Sequence, residues 1–210
     1  MIEDWLGRWS QGRTGWHESA GNEGLKTYWP DVAQPGSVLV PLCGKSPDLL
    51  WLAERGHEVV GVELSEIAVA GFFEEHDLEF DIDTAGPLSQ YSATGHSLKI
   101  YCGDYFEFQS RPFDALYDRG ALVALAADQR PRYVEHTSKL LNPVSTRLVI
   151  TLEYDQRVVN GPPFSVSADE LLAYCDDMVR VGEKDDIDNC PPKFRQAGLA
   201  EVSEVFWRSR

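Results

Sequence analysis

The sequence has few cysteines and lacks a metal-binding pattern. Cys43, Cys102, Cys175 and Cys190 are far apart, no two of them form a Cys-x-x-Cys pair, and no histidine stands near them at zinc-ligand spacing. An unpaired cysteine commonly behaves as a small buried hydrophobic residue. The sequence therefore predicts reduced thiols and no metal site.

Long apolar runs and basic residues are also scarce. No apolar run is long enough to span a bilayer, and the first residues lack the basic start and apolar stretch of a secretory signal. With 34 acidic against 19 basic residues, the formal net charge is −15, which repels polyphosphate backbones. We therefore expect a cytoplasmic protein that acts on a small molecule, with neither nucleic acid nor membrane as a partner. Nothing in the sequence signals association, so a monomer is expected.

Short β-branched runs alternate with helical stretches along the chain. Strands are predicted at 37–40, 58–62, 98–101, 113–117 and 147–154, and helices at 48–55, 65–76 and 130–141. This alternation predicts right-handed βαβ crossovers and a parallel sheet with helices on both faces. Segments 179–183 and 199–207 are predicted to close the sheet, with an antiparallel final strand. We expect an α/β fold with a seven-stranded, mostly parallel sheet in a single domain, residues 1–210.

The residues that follow the first two strands indicate a nucleoside cofactor. In an open α/β sheet, ligands bind beyond the carboxyl ends of the strands. Glu63 ends the second strand, 19 residues after Gly44, where a carboxylate can accept hydrogen bonds from both ribose hydroxyls. The loop after the first strand has one glycine instead of G-x-G-x-x-G, and Leu39 stands where a phosphate-binding loop needs glycine. This pattern disfavours a pyrophosphate and favours S-adenosylmethionine, which has a ribose and no phosphate.

Six short motifs, in order over nearly the whole chain, carry a family resemblance. They are Trp5-x-x-x-Trp9, Thr14-Gly15-Trp16-His17, the segment 40–46 (VPLCGKS), the segment 55–65 (RGHEVVGVELS), the segment 117–124 (YDRGALVA) and Gly161-Pro162-Pro163-Phe164. In these motifs the chain resembles the thiopurine S-methyltransferase family, particularly its bacterial members. The resemblance implies a class I methyltransferase (Rossmann-like) fold with an N-terminal helical lid, residues 1–30. It also implies methyl transfer from S-adenosylmethionine to the sulfur of thiopurines and aromatic thiols. Some bacterial relatives also methylate selenium or tellurium species, which implies a role in detoxification.

The motifs also carry site residues. By resemblance, Leu42, Glu63 and Arg119 correspond to cofactor-contacting positions. Leu64, Asp104 and Tyr105 correspond to positions beside the adenosyl group. Trp5, Trp9 and Trp16 correspond to the segment that covers the cofactor. Gly44 in the first loop completes the expected cofactor site. The acceptor is expected to contact Arg119, Pro163, Phe164 and Lys193. Some relatives carry arginine where this chain has Lys193, and lysine is not equivalent to arginine in planar recognition. The acceptor preference is therefore open.

Several of these residues allow two interpretations. Asp104 is either an adenine contact or a turn residue. Trp5 and Trp9 share a helix face and form either a structural staple on the sheet or an aromatic lid that excludes water and attracts a sulfonium. Arg119 either pairs with Asp118 or stands beside the substrate as the catalytic residue, where its charge favours a thiolate. Because aromatic thiols ionise near neutral pH, we expect no separate general base.

Two other classes of function compete with methyl transfer. An NAD-dependent oxidoreductase could use a similar sheet, but the second and third glycines of its loop are missing. A non-catalytic module could bind a nucleoside or an oxyanion as a sensor. Cofactor binding and an activity test separate these alternatives.

Overall fold

Five strands form the parallel centre of the sheet. The computed structural model describes residues 2–30 and 36–210. In chain order the central strands are β1 (Ser37–Pro41), β2 (Glu58–Glu63), β5 (Leu98–Cys102), β6 (Phe113–Arg119) and β7 (Leu141–Glu153), with β3 (Phe80–Ala85), β4 (Leu88–Ala93), β8 (Met178–Asp185) and β9 (Ser203–Ser209) added at the sides. Across the described residues the order is β3-β4-β5-β2-β1-β6-β7-β9-β8. β5, β2, β1, β6 and β7 pair in parallel, as predicted from the alternating pattern.

Helices cover both faces of this sheet, as predicted. They are α1 (Ile2–Ser10), α2 (Glu23–Tyr28), α3 (Asp48–Glu54), α4 (Glu66–Glu75), α5 (Ala121–Ala124), α6 (Arg130–Lys139), α7 (Ala168–Tyr174) and α8 (Lys193–Gln196). Successive strand residues point to opposite faces, so the neighbours Val38 and Leu39 belong to different core clusters. The cluster of Val38 includes Phe72 of α4, and the cluster of Leu39 includes Tyr133 of α6. Met1 of the predicted lid lies outside the described residues.

The C-terminal strands reverse direction. β9 pairs antiparallel with both β7 and β8, which confirms the predicted antiparallel final strand. This strand begins at Ser203, later than the predicted 199, because a turn from α8 through Gly198 occupies the preceding residues. Among the described residues, none of the helices is both long and apolar enough to cross a membrane.

The predicted seven strands are too few, because a hairpin extends the sheet beyond β5. β3 and β4 pair antiparallel around Gly86, and β4 continues onto β5. Phe80, Asp81, Ile82 and Asp83 alternate apolar and acidic, which is a strand signal, but the strand lies exposed at the sheet edge. A strand that buries so little surface lacks the continuous apolar run by which the central strands were recognised. The added hairpin changes the strand count and leaves the class I architecture intact.

Candidate active site

The loop after β1 and the end of β2 meet through one carboxylate. Glu63 is 7% exposed, and its Oε2 accepts a hydrogen bond from the Gly44 amide at 2.8 Å while its Oε1 accepts one from the Ser65 amide at 2.8 Å. Gly44 adopts a φ of +57°, a conformation that side chains other than glycine rarely adopt. A Cβ on Gly44 would also stand 3.3 Å from the ring of Trp9. The carboxylate is thereby held in one orientation at the edge of the sheet.

Two opposing effects set the charge state of this carboxylate. Burial raises the pKa of Glu63, whereas the hydrogen bonds from the Ser65 and Gly44 amides lower it. The amides favour the ionised form, which is the form that accepts hydrogen bonds from a diol. The carboxylate at this position is therefore suited to accept hydrogen bonds from a ribose.

The N-terminal segment packs over the same edge with three tryptophans. The ring of Trp16 makes edge-to-face contacts with Trp5, at a centroid distance of 5.2 Å, and with Trp9, at 5.7 Å. Trp9 is buried and lies on the loop at Gly44. All three rings line the cavity described below. The three tryptophan rings thus pack against one another and also cover the cavity. The structural and the lid interpretations made from the sequence are therefore compatible.

Arg119 ties this segment to the end of β6. Its Nη1 donates to the Trp16 carbonyl at 2.8 Å and its Nη2 forms an ion pair with Glu18. The alternative interpretation, an ion pair between Arg119 and Asp118, is wrong because Asp118 has other partners. Its carboxylate accepts hydrogen bonds from the Ala121 amide at 3.1 Å and the Tyr133 hydroxyl at 2.6 Å. Burial raises the pKa of Asp118 to about 6.

The residues expected beside an adenosyl group lie together at the ends of β2 and β5. Leu64, Asp104 and Tyr105 all line the cavity. Asp104 caps a short 3-10 helix, accepting a hydrogen bond from the Phe106 amide at 2.9 Å. The turn role of Asp104 is therefore observed, and its place in the cavity wall leaves the adenine contact available as well. The Tyr105 hydroxyl is hydrogen-bonded to Thr137 at 2.9 Å, which leaves its ring to face the cavity.

These groups surround one cavity of about 280 Å³, close to the lower limit for small-molecule sites. Besides the tryptophans, Glu63 and the adenosyl-side residues, its wall includes Arg8, Leu42, Gly44, Phe106, Arg119, Val123, Arg132, Leu152, Pro162, Pro163, Asp186, Asn189, Cys190 and Glu204. Every residue that the sequence assigned to the cofactor thus lies on this wall. The structure brings them together from the ends of separate strands, as the strand-end rule predicts.

Two expected acceptor contacts lie outside this wall. The amide of Phe164 donates to the Val123 carbonyl at 2.6 Å, and its ring packs against Gly161. Lys193 Nζ donates to the Asn160 carbonyl at 2.6 Å. Pro163 lies on the wall, whereas Phe164 follows it in the same loop and Lys193 binds that loop at Asn160. Neither Phe164 nor Lys193 is part of the cavity wall, and acceptor contact by these two residues stays a prediction.

The sequence analysis missed an acidic group in the cavity wall. Carboxylate oxygens of Glu18, Asp186 and Glu204 all lie within 4.8 Å of one another, and all three residues line the cavity. One signal was available: Glu204 interrupts the apolar run of a closing strand, where a charged residue is unusual. Glu18 and Asp186 lie in loop or strand-end positions that resemble a solvated surface in the sequence. Only the fold shows that the three converge.

Comparison with known proteins gives one consistent result. A sequence model of the family described as thiopurine S-methyltransferase (TPMT) matches residues 1–210. Thiopurine S-methyltransferase of Bordetella petrii is 42% identical over 214 residues, covering 98% of this chain and 96% of that protein. The Pseudomonas putida (strain KT2440) protein of the same name is 43% identical over 210 residues, with 97% and 96% covered.

Solved structures with lower identity share the fold. The 1,6-didemethyltoxoflavin-N1-methyltransferase of Burkholderia thailandensis, with bound S-adenosylhomocysteine, has a TM-score of 0.65 at 19% identity, covering 99% of this chain and 86% of its own. The glycopeptide N-methyltransferase MtfA complexed with S-adenosylmethionine has a TM-score of 0.55 at 12% identity, covering 88% and 92%. These similarities support the class I methyltransferase fold.

Proposed function

Because this chain belongs to the thiopurine S-methyltransferase family, and is thus an S-adenosylmethionine-dependent methyltransferase, we propose that it methylates the sulfur of thiopurines and related aromatic thiols. The observation that carries the proposal is a cavity whose wall includes both a buried carboxylate and apolar residues. We assign the part of the cavity at the carboxylate, the first end, to a ribose, and the part at the apolar residues, the second end, to a flat aromatic ring. The NAD-dependent and non-catalytic alternatives are set aside with the family assignment.

The first end fits the cofactor. S-adenosylmethionine, when bound, supplies an electrophilic methyl group on a sulfonium. We propose that Glu63 accepts hydrogen bonds from the ribose hydroxyls, because its carboxylate is already oriented by the Gly44 and Ser65 amides. Leu42 and Gly44 form the loop beneath the cofactor. The adenosyl group is assigned to Leu64, Asp104 and Tyr105, and its cover to Trp5, Trp9 and Trp16.

The second end fits an aromatic acceptor. Val123, Leu152, Pro162 and Pro163 give it an apolar wall, and such surfaces bind planar rings through burial and dispersion. Arg119 stands on the same wall, and we propose that it is the catalytic residue beside both cofactor and acceptor. Because Arg119 also holds the Trp16 carbonyl, it keeps the aromatic cover closed over the cavity.

Alignment and exclusion of water are the main contributions of the protein to this reaction. Holding two reactants in line replaces a bimolecular encounter, and a dry site removes the solvent that competes for the nucleophile. The tryptophan cover and the proline wall perform the exclusion. An aromatic thiol that is partly ionised near neutral pH needs no strong base, so positioned groups are sufficient.

Product identification tests this proposal. The protein is incubated with S-adenosylmethionine labelled on its methyl group and with a panel of thiopurines, thiophenols, a selenol, selenite and tellurite. We expect labelled S-methyl products from the aromatic thiols, and no label transfer by Glu63→Ala at the same cofactor concentration. Transfer to nitrogen or oxygen acceptors of similar shape, without transfer to sulfur, would refute the sulfur assignment.

Three further properties belong to the same proposal and rest on the family resemblance and composition. They are the methylation of selenium or tellurium species in detoxification, a cytoplasmic location, and a monomeric state without nucleic-acid or membrane partners. The selenium and tellurium arms of the panel test the first. Sedimentation of the purified protein tests the monomer.

A further inference from the structure

The part of the cavity wall around Arg119 has more carboxylates than cations. Glu18, Asp186 and Glu204 face one another there, with their carboxylate oxygens within 4.8 Å. Arg119 is paired with Glu18, and Lys184 lies 3.0 Å from Glu204 Oε2 and 3.6 Å from Asp186 Oδ1. When all five groups are ionised, three negative charges face two positive ones. Glu18 therefore compensates much of the positive charge of Arg119, which attracts an anion less strongly than an unpaired arginine would.

Burial makes this imbalance effective. Asp186 is 5% exposed and Glu204 is 1% exposed, while the side chains of Glu18 and Arg119 are 17% and 18% exposed. Charges in such surroundings interact more strongly than charges in water, because little solvent screens them. Burial also raises the pKa of both Glu18 and Glu204.

The charged groups that bear on Glu18 and Glu204 are Arg119, Lys184 and the neighbouring carboxylates. The Asn22 side-chain amide also donates hydrogen bonds to Glu18 at 3.3 Å and to Glu204 at 3.0 Å, and it adds no charge. An acceptor that enters beside Arg119 therefore meets a site whose local charge is already neutral or negative.

We propose that Glu18 determines the charge specificity of the acceptor. By compensating the charge of Arg119, it makes the site prefer a neutral aromatic thiol over one that carries a carboxylate. The proposal rests on the sulfur-methylating function proposed above. In the transfer, a lone pair of the acceptor sulfur forms the new S–C bond, the methyl–sulfonium bond breaks, and its electron pair remains on the cofactor sulfur. The thiol proton leaves to water.

A matched pair of acceptors tests the proposal. 4-Mercaptobenzamide and 4-mercaptobenzoate have nearly the same shape and differ by one negative charge. We expect the wild-type protein to methylate the amide with a kcat/KM about tenfold or more above that of the carboxylate, since one nearby charge typically changes such equilibria by this factor or more. Glu18→Gln should reduce the ratio by about tenfold, mainly through a faster reaction of the carboxylate.

Two variants control for the loss of a carboxylate. Glu135→Gln removes a charge from an exposed ion pair with Lys139 on α6 and should leave the ratio unchanged. Asp186→Asn changes the same cluster from the opposite side and should shift the ratio in the same direction as Glu18→Gln. It keeps the test decisive if Glu18→Gln fails to fold. A wild-type preference for the carboxylate, or a ratio within threefold of wild type in both cluster variants, overturns the proposal.

A binding measurement separates this proposal from the proposed function. The methylated products, 4-(methylthio)benzamide and 4-(methylthio)benzoate, are titrated into the protein loaded with S-adenosylhomocysteine, where tighter binding of the amide is expected. If neither thiol is methylated, sulfur transfer is refuted, while the titration still decides the charge preference. If Glu18→Gln weakens S-adenosylmethionine relative to S-adenosylhomocysteine and leaves the acceptor ratio unchanged, the acidic group serves the charge of the cofactor, and the proposal is wrong.

Discussion

The replacement of Glu63 is the most direct test of the cofactor site. In Glu63→Ala both oxygens disappear, so the Gly44 and Ser65 amides lose their acceptor and the cofactor loses its proposed ribose partner. Hydrogen bonds to a charged group contribute about 1.5–3 kcal/mol each. Two such bonds to a ribose therefore correspond to about 3–6 kcal/mol, or a dissociation constant roughly 10²–10⁴ times larger.

Calorimetric titration with S-adenosylhomocysteine measures this change. Glu58→Gln is the matched control, because Glu58 begins the same strand, lies exposed and pairs with Arg111; its affinity should remain within about twofold of wild type, as is usual for a surface ion pair. Circular dichroism and urea unfolding verify that Glu63→Ala is folded at the titration temperature. A folded Glu63→Ala protein that binds within threefold of wild type would refute the ribose assignment.

The pH dependence of binding provides a second readout for Glu63. Burial raises its pKa, and only the ionised carboxylate accepts hydrogen bonds from both hydroxyls. Affinity should therefore be highest above this raised pKa and should fall on acidification, beginning at a higher pH than an ordinary carboxyl group would require. In Glu63→Ala this component of the pH dependence should be absent.

The remaining predictions concern the lid, the pH dependence of stability and a buried ion pair. Trp16→Ala should weaken S-adenosylhomocysteine binding about tenfold, because edge-to-face pairs contribute roughly 0.5–1.5 kcal/mol beyond burial. Trp51→Ala on α3 is the control. Equal losses of S-adenosylhomocysteine affinity in titrations of both variants would count against the lid. Burial raises the pKa of Asp118 from an ordinary 3.8 to about 6, so its contribution to stability is present below about pH 4 and lost as the pH rises through about 6. Relative to Asp118→Asn, the wild-type protein should lose up to about 3 kcal/mol of unfolding free energy over that interval, and parallel urea-unfolding curves across pH would contradict this. Arg130 is 2% exposed and bonded twice to Glu170, so Arg130→Ala should lower the unfolding free energy by about 3–5 kcal/mol, whereas a loss below 1 kcal/mol would show that the pair is dispensable.

The balance of charges around Arg119 connects these predictions to the proposed specificity for the charge of the acceptor. Arg119 contacts the lid through Trp16 and is neutralised by Glu18. The same residue therefore stabilises the closed cavity and limits the charge of what can enter it. Variants of Glu18 are expected to affect both properties, and the comparison of acceptors isolates the second.

The central part of the fold could be predicted from the sequence because its signals are local. The β-branched runs of β1 and β2, the single glycine at Gly44 and the carboxylate at Glu63 each report their own backbone or strand end. Since parallel strands place their carboxyl ends at one edge, these local signals were sufficient to predict a nucleoside site. The family motifs added the tryptophan cover and Arg119.

Tertiary structure alone decided which side chains surround Arg119 in the cavity wall. Asp186 and Glu204 come from the end of β8 and from β9, and Glu18 comes from the N-terminal segment; their convergence depends on the antiparallel closure of the sheet and on the docking of the lid. No local pattern encodes a contact between residues so distant along the chain. For the same reason, only the folded chain shows the hydrogen bond from Lys193 to the Asn160 carbonyl and the ion pair of Arg119 with Glu18 instead of Asp118.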